Sequence, residues 1–206
     1  MSEVRPAPRR ARRVFLEIGI AERAKAGSPL SGDAHRVVEQ GQYVLVAIAD
    51  GLGSGEKAAR SARLAVQGVA EFPTEALQDI LAYCHYTILA AGGVGVMMAL
   101  LRLDTLAHRL EFSGVGNVRF QAHSREPIQP IVRYGYLGVR LPSLHVYRSP
   151  YTPGDVFVLH TDGVSTRFHL HNHLSELRDG AQSLAERILG QYGKDHDDAT
   201  VIVVRA

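Results

Sequence analysis

The sequence predicts an α+β fold: two packed antiparallel sheets with helices on their outer faces, a four-layer α-β-β-α sandwich. Two observations predict it. About nine strand-like segments are joined mainly by short connections carrying Gly, Pro, Asp or Ser, which suit hairpins rather than helical crossovers. The helical stretches gather in the middle and near the end of the chain instead of alternating with strands, which excludes a doubly wound parallel sheet. Packing the sheets face to face lets each hide one side against the other.

The elements follow in order. "VFLEIGI" sets Val14, Leu16, Ile18 and Ile20 on one face at period two. "YVLVAIA", from Tyr43, is continuously apolar, as expected of a strand covered on both faces. Small and apolar residues at helical spacing mark Glu56–Glu71, and a second helix is expected over Thr74–Ala90, entered through Pro73. Strands are then expected in "VGVMMALLRLD", "HRLEFSGVG", "VRFQAH", "IQPIVRYG", "SLHVYRS" and "DVFVLHTD". A last helix is expected over Leu174–Tyr192, ahead of the final strand "ATVIVVR".

Bulk properties narrow the class. With 206 residues, 46% hydrophobic and 21% charged, the chain suits one domain with a real core, placed at residues 14–206, and neither a disordered nor a fibrous protein. No apolar run approaches the roughly 18 residues that cross a bilayer, and Glu17 and Glu22 interrupt the first hydrophobic stretch. A cytoplasmic protein with no membrane partner is expected. The single cysteine, Cys84, has no partner for an internal disulfide, in keeping with a reducing compartment. Residues 1–13 hold five arginines against one glutamate and read as a flexible basic tail, leaving the domain mildly acidic. That balance gives no reason to expect a nucleic-acid partner.

Chemistry is carried by four acids at strand ends beside glycine or a turn: Asp33 in "SGD", Asp50 in "IADGLGSG", Asp162 in "LHTDGVS" and Asp198 in "KDHDDATVIVV". Taken singly, each Asp-Gly is ordinary turn chemistry. If strand ends from facing sheets converge, the carboxylates repel one another unless a counter-charge is present. Divalent cations supply it, and oxygen ligands without Cys or His favour Mg²⁺ or Mn²⁺ over zinc. The glycine after Asp50 would let its carbonyl approach an ion closely.

Nucleotide-binding alternatives fail on spacing. Gly51, Gly53 and Gly55 give G-x-G-x-G, short of the dinucleotide fingerprint, and Asp50 would point a negative charge at a pyrophosphate. Lys57 does not follow the phosphate-loop pattern. A catalytically inactive scaffold that binds phosphorylated partners remains the rival to an enzyme.

Taken in order, "SGD", "ADGLGSG", "GGVGVMMALL", "SGVGNVRF", "VLHTDGVS" and "DDATVIVV" resemble the successive motifs of the PPM (type 2C, PP2C) metal-dependent protein Ser/Thr phosphatases over about residues 14–206. The "DGLGSG" turn, "GVGN" and "YLGVRLP" are most similar to the bacterial stress-response branch. The resemblance implies a catalytic set of Asp33, Asp50, Asp162 and Asp198, and two divalent metal ions, Mn²⁺ or Mg²⁺. Asp50 would bridge the ions, the Gly51 carbonyl would bind one, Asp162 and Asp198 would hold the other, and Asp33 would accept hydrogen bonds from ion-bound water. It implies in-line hydrolysis of phosphoserine or phosphothreonine without a phosphoenzyme, and phosphorylated STAS-domain proteins of the stressosome as partners, in resetting a general stress response.

Two positions that bear on the chemistry depart from the family pattern. Leu52 stands where many members carry a histidine proposed as general acid, which leaves His35 as a distant substitute. Asn117 replaces an acid able to hold a third ion, so a third site is expected to be weak or absent. "HLHNH" (His169, His171, His173) is expected to be a solvated loop near Asp162, and His160 a packed core histidine.

Overall fold

A computed structural model describes residues 15–206; the basic tail over residues 1–13, and Val14, lie outside the described residues. Among the described residues nine strands form two antiparallel sheets. One contains β1 (Glu17–Arg23), β6 (Arg119–His123), β8 (Val156–His160) and β9 (Ala199–Arg205) in the order β1-β9-β8-β6. The other contains β2 (Asp33–Gln40), β3 (Tyr43–Gly51), β4 (Val96–Asp104), β5 (Arg109–Val115) and β7 (Tyr147–Pro150) in the order β2-β3-β4-β5-β7. The expected four-layer sandwich is the fold.

Alternation explains the layers. Along β3, Leu45, Ala47 and Ala49 face helices α1 (Glu56–Glu71) and α2 (Leu77–Ala90), and pack on Ala62, Val66, Leu81, Cys84 and Ile88. Val44, Val46 and Ile48 face the other way, into an inter-sheet core with Phe112, Phe157, Leu159 and Ile202. Both faces of β3 are thus apolar because both are buried. Helix α3 (Ala181–Tyr192) covers the outer face of the first sheet through Leu184, Ala185 and Ile188 against Val158, Val201 and Val203. Leu16, just before β1, and Ile18 and Ile20 within it pack on the inter-sheet core, the face their spacing predicts.

Three element expectations are corrected. The second helix begins at Leu77 rather than Thr74, because the Pro73–Thr74 segment forms a turn after α1. The last helix is broken: Leu170–Asp179 is a 3₁₀ segment, and α3 starts after Gly180, whose φ of 95° no helix accommodates. "IQPIVRYG" forms no strand; an isolated bridge of Arg133 with Val115 ties it to the sheet, and just beyond it a second bridge joins Leu137 to Val96.

Candidate metal centre

The fold delivers the four acids to one end of the sandwich. Asp33 and Asp50 lie directly opposite each other in the β2–β3 ladder. Asp162 follows β8 and Asp198 precedes β9, and these strands are antiparallel neighbours with His160 opposite Val201, so the two acids come side by side. Two glycines make the approach possible. A Cβ on Gly51 would sit 2.3 Å from the Ala58 carbonyl oxygen of α1, and one on Gly163 would sit 1.9 Å from the Asp198 carbonyl oxygen. Gly51 is therefore demanded by helix packing, whatever its own carbonyl binds.

The electrostatics are those of an uncompensated acid cluster. Burial, then the charges of Asp33, Asp162, Asp197 and Asp198, push the Asp50 carboxyl up to about 8. Asp33 is pushed up to about 7, chiefly by burial and further by Asp198 and Asp162, against the opposing pull of two hydroxyls. Those hydroxyls belong to Thr161 and Thr200, each donating to Asp33 Oδ2 at 2.8 Å. Both threonines are fully buried, and the Thr200 N–H donates to Thr161 Oγ1 at 3.0 Å, so Asp33 is held by the facing sheet.

The other two sequence-derived acids differ in their partners. Asp162 accepts a hydrogen bond from the Asn117 side-chain amide, and its main-chain oxygen accepts one from Lys194 Nζ at 2.5 Å. Asp198 spends both carboxylate oxygens on the β1–β2 loop: Oδ1 accepts the Lys25 N–H at 2.9 Å and Oδ2 the Gly32 N–H at 2.8 Å. Its neighbour Asp197 carries no such loop contacts, and its carboxyl is raised by burial and by Asp162. Asp197, Asn117, Lys194, Thr161 and Thr200 were not singled out from sequence for these roles. Two adjacent aspartates are equivalent in a string of letters, and only the approach of the β1–β2 loop to the entry of β9 shows that Asp198 is the one engaged by Lys25 and Gly32.

The donor chemistry fits a hard divalent cation. Carboxylates raised by one another are what a cation would lower, and Asn117 Oδ1 is a buried acceptor without a partner beside Asp162. Among the described residues no three Asp, Glu, His or Cys side chains close on a single point. An ion here would draw on pairs of carboxylates, on main-chain carbonyls such as that of Gly51, and on water, as Mg²⁺ commonly does.

The histidines are resolved by packing. His160 is buried against Phe168, and burial pushes it down to about 4, so it is the packed core residue expected. His35 Nδ1 lies 3.0 Å from Glu22 Oε2. Within "HLHNH", His169 and His171 are exposed with rings 5.8 Å apart, but His173 is buried. It sits between Glu176 at 2.9 Å and the Tyr192 hydroxyl at 2.8 Å, so the expectation of a solvated run fails for that residue. No helix among the described residues is long and apolar enough to cross a membrane.

Comparison with known proteins agrees with this geometry. The family model for stage II sporulation protein E (SpoIIE) matches residues 40–206. The phosphoserine phosphatase RsbX of Bacillus subtilis (strain 168) is 28% identical over 151 residues, 71% of this chain and 75% of that protein. A chain solved in a study of the bacterial stressosome as a modular system adapted to control secondary messenger signaling is 32% identical, with a TM-score of 0.89 over 93% of this chain and 100% of that one. RsbX in complex with magnesium is 24% identical, with a TM-score of 0.80 over 92% of this chain and 94% of that one, a likeness of fold. The chain belongs to the stage II sporulation protein E (SpoIIE) family.

Proposed function

We propose that the chain, as one domain over residues 14–206, hydrolyses phosphoserine and phosphothreonine in STAS-domain proteins of a stressosome and so resets a bacterial stress-signalling pathway. One observation supports the chemistry: Asp33, Asp50, Asp162 and the Asp197–Asp198 pair come to one end of the sandwich from two sheets, and burial with repulsion drives Asp33 and Asp50 far above the usual carboxylate range. The similarity to RsbX supports the substrate class.

Two divalent ions, Mn²⁺ or Mg²⁺, would supply an acidified water and neutralise the phosphoryl oxygens. The chain's own residues do the holding. Asp50 is central to the cluster, with the Gly51 carbonyl next to it. Asp162 is oriented from both ends, by the Asn117 amide on its carboxylate and by Lys194 on its main-chain oxygen. Asp197 is the better ligand of the adjacent pair, because Asp198 is already engaged by two backbone N–H groups and serves to fix the β1–β2 loop beside the site. Asp33, locked by Thr161 and Thr200, presents its remaining oxygen to water. Leu52 donates no proton, so the leaving oxygen is protonated by solvent.

The test is an assay of the purified protein on p-nitrophenyl phosphate and on a serine-phosphorylated STAS-domain protein, with Mn²⁺ and with EDTA. Full activity in EDTA would sink the metal-dependent reading. Hydrolysis confined to phosphotyrosine peptides would sink the substrate assignment.

A further inference from the structure

The segment joining β6 to β7 contains no strand, yet it is firmly anchored beside the acids. Leu137 exchanges two backbone hydrogen bonds with Val96, each 2.9 Å. The Arg133 N–H donates to the Gly114 carbonyl at 2.9 Å, and the Gly116 N–H donates to the Arg133 carbonyl at 2.7 Å. Leu137 itself is fully buried. Val96 also pairs with Gly51, so Leu137 lies two strand spacings, about 10 Å, from the residue after Asp50. Gly116, at the other anchor, leads directly into Asn117.

What this anchored segment presents to solvent is apolar and aromatic. Tyr134 is 85% exposed and Val139 61%, beside Leu52 at 45%. The three belong to one surface: the Leu52 N–H donates to the Gly95 carbonyl at 2.7 Å, and Gly95 packs so closely on Tyr136 and Val139 that a Cβ there would meet them at 3.0 and 3.1 Å. Tyr134 and Tyr136 meet edge to face, with ring centroids 6.1 Å apart. Tyr134, Tyr136, Val139, Leu141 and Pro142, with Arg140, line a groove of about 410 Å³. Neither Arg133 nor Arg140 forms a salt bridge among the described residues.

We propose that this ridge and groove form the docking surface for the phosphoprotein, taking a large apolar side chain about three residues from its phosphoserine, with an acidic neighbour meeting Arg133 or Arg140. The proposal rests on the phosphoserine phosphatase reading. The spacing follows from reach, since extended chain advances about 3.3 Å per residue and the ridge stands about 10 Å from the Asp50 end of β3. The chemistry follows from the lining. An acidic centre repels an acidic phosphoprotein, and the two arginines stand where they can draw it in, while the exposed aromatics offer the desolvated anchor that interfaces concentrate at their centre. Continuity with the acids favours this partner over a second copy of the chain, which would block the approach to Asp50.

Labelled phosphoserine peptides test this. One set carries Leu three residues before or after the phosphoserine with Glu beside it; the matched set carries Gly and Ser there. In Mn²⁺ the unaltered enzyme is expected to prefer one Leu-Glu peptide by about tenfold in kcat/KM, mostly through KM, a hot-spot-sized effect. Tyr134→Ser with Val139→Ser should reduce that preference to about twofold or less, whereas Tyr86→Ser, on the exposed face of α2, should leave it unchanged. Fluorescence anisotropy reads the same preference as binding, so it tests the ridge even if no peptide is hydrolysed, an outcome that counts against the phosphatase reading alone. Equal affinity of the unaltered protein for both sets, or an undiminished preference in the double variant, would overturn the proposal. So would a dimer, seen by sedimentation, that the double variant dissolves.

Discussion

Two charged clusters sit toward opposite ends of the same five-stranded sheet, and they are built on opposite principles. Asp33 and Asp50, paired across β2 and β3, are buried near other acids, with two hydroxyls as the opposing pull on Asp33, and both carboxyls rise. Glu111, paired across β4 and β5 with Arg102, is also pushed up by burial, but Arg102 and Arg148 outweigh that push and hold it below its ordinary value. Arg102 donates to Glu111 through two nitrogens and to the Glu75 carbonyl at 2.6 Å, while Arg148 Nε donates at 2.7 Å. Every charge there is answered within the chain. The difference separates a cluster whose charges stabilise the fold from one whose charges repel.

Substitutions can break this comparison. The largest effect is expected from Asp50→Asn, which should lower kcat on p-nitrophenyl phosphate by about a thousandfold or more, as expected when the central holder of the ions goes. The metal-free variant should melt no lower than the unaltered protein at pH 8, because a repelling buried charge has been removed. A large drop in its melting temperature would show that Asp50 is structural.

Glu111→Gln should behave in the opposite manner, costing about 1–3 kcal/mol in denaturant unfolding because two arginines lose their acceptor, with kcat/KM on p-nitrophenyl phosphate kept. Loss of activity without loss of stability would reverse the roles assigned to the two clusters.

The pH response sharpens the contrast. Asp50 at about 8 and Asp33 at about 7 lie above the unfolded value of about 3.9, so between those limits the metal-free folded state binds more protons than the unfolded state. Their contribution is full below about pH 4 and is lost as pH rises toward 8. Melting scans in EDTA should therefore show a falling Tm from pH 5 to pH 8, and Mn²⁺ should raise Tm more at pH 8 than at pH 5. Glu111, held low, contributes above its unfolded value, and that contribution is lost only as pH falls into the acid range. A Tm in EDTA that rises from pH 5 to pH 8 would contradict the raised carboxyls. The smallest effect is expected from Arg148→Ala, within about 1 kcal/mol, because its side chain is 63% exposed and the pair is screened by water.

Much of this was legible in the sequence. The apolar run of β3, the alternation of β1 and the spacing of α1 follow from local periodicity, and the four acids of the ordered motifs, Asp33, Asp50, Asp162 and Asp198, lie at one end of the sandwich. Boundaries were less visible. Gly180 cuts what reads as one helix, and "IQPIVRYG" has a strand's composition but lies beyond the ordered edge of the sheet, where only bridges form.

The sequence by itself determined the layers and which acids end up together, because periodicity decides which face is buried and each Asp-Gly ends or abuts a strand. Only the tertiary structure decided how those acids are used. That Asp198 clamps Lys25 and Gly32, that Asn117 and Lys194 grip Asp162 from two sides, and that Thr161 and Thr200 hold Asp33 depend on contacts between segments far apart in the chain. No local pattern carries that information, since it arises when two sheets, each folded by its own alternation, meet at one end.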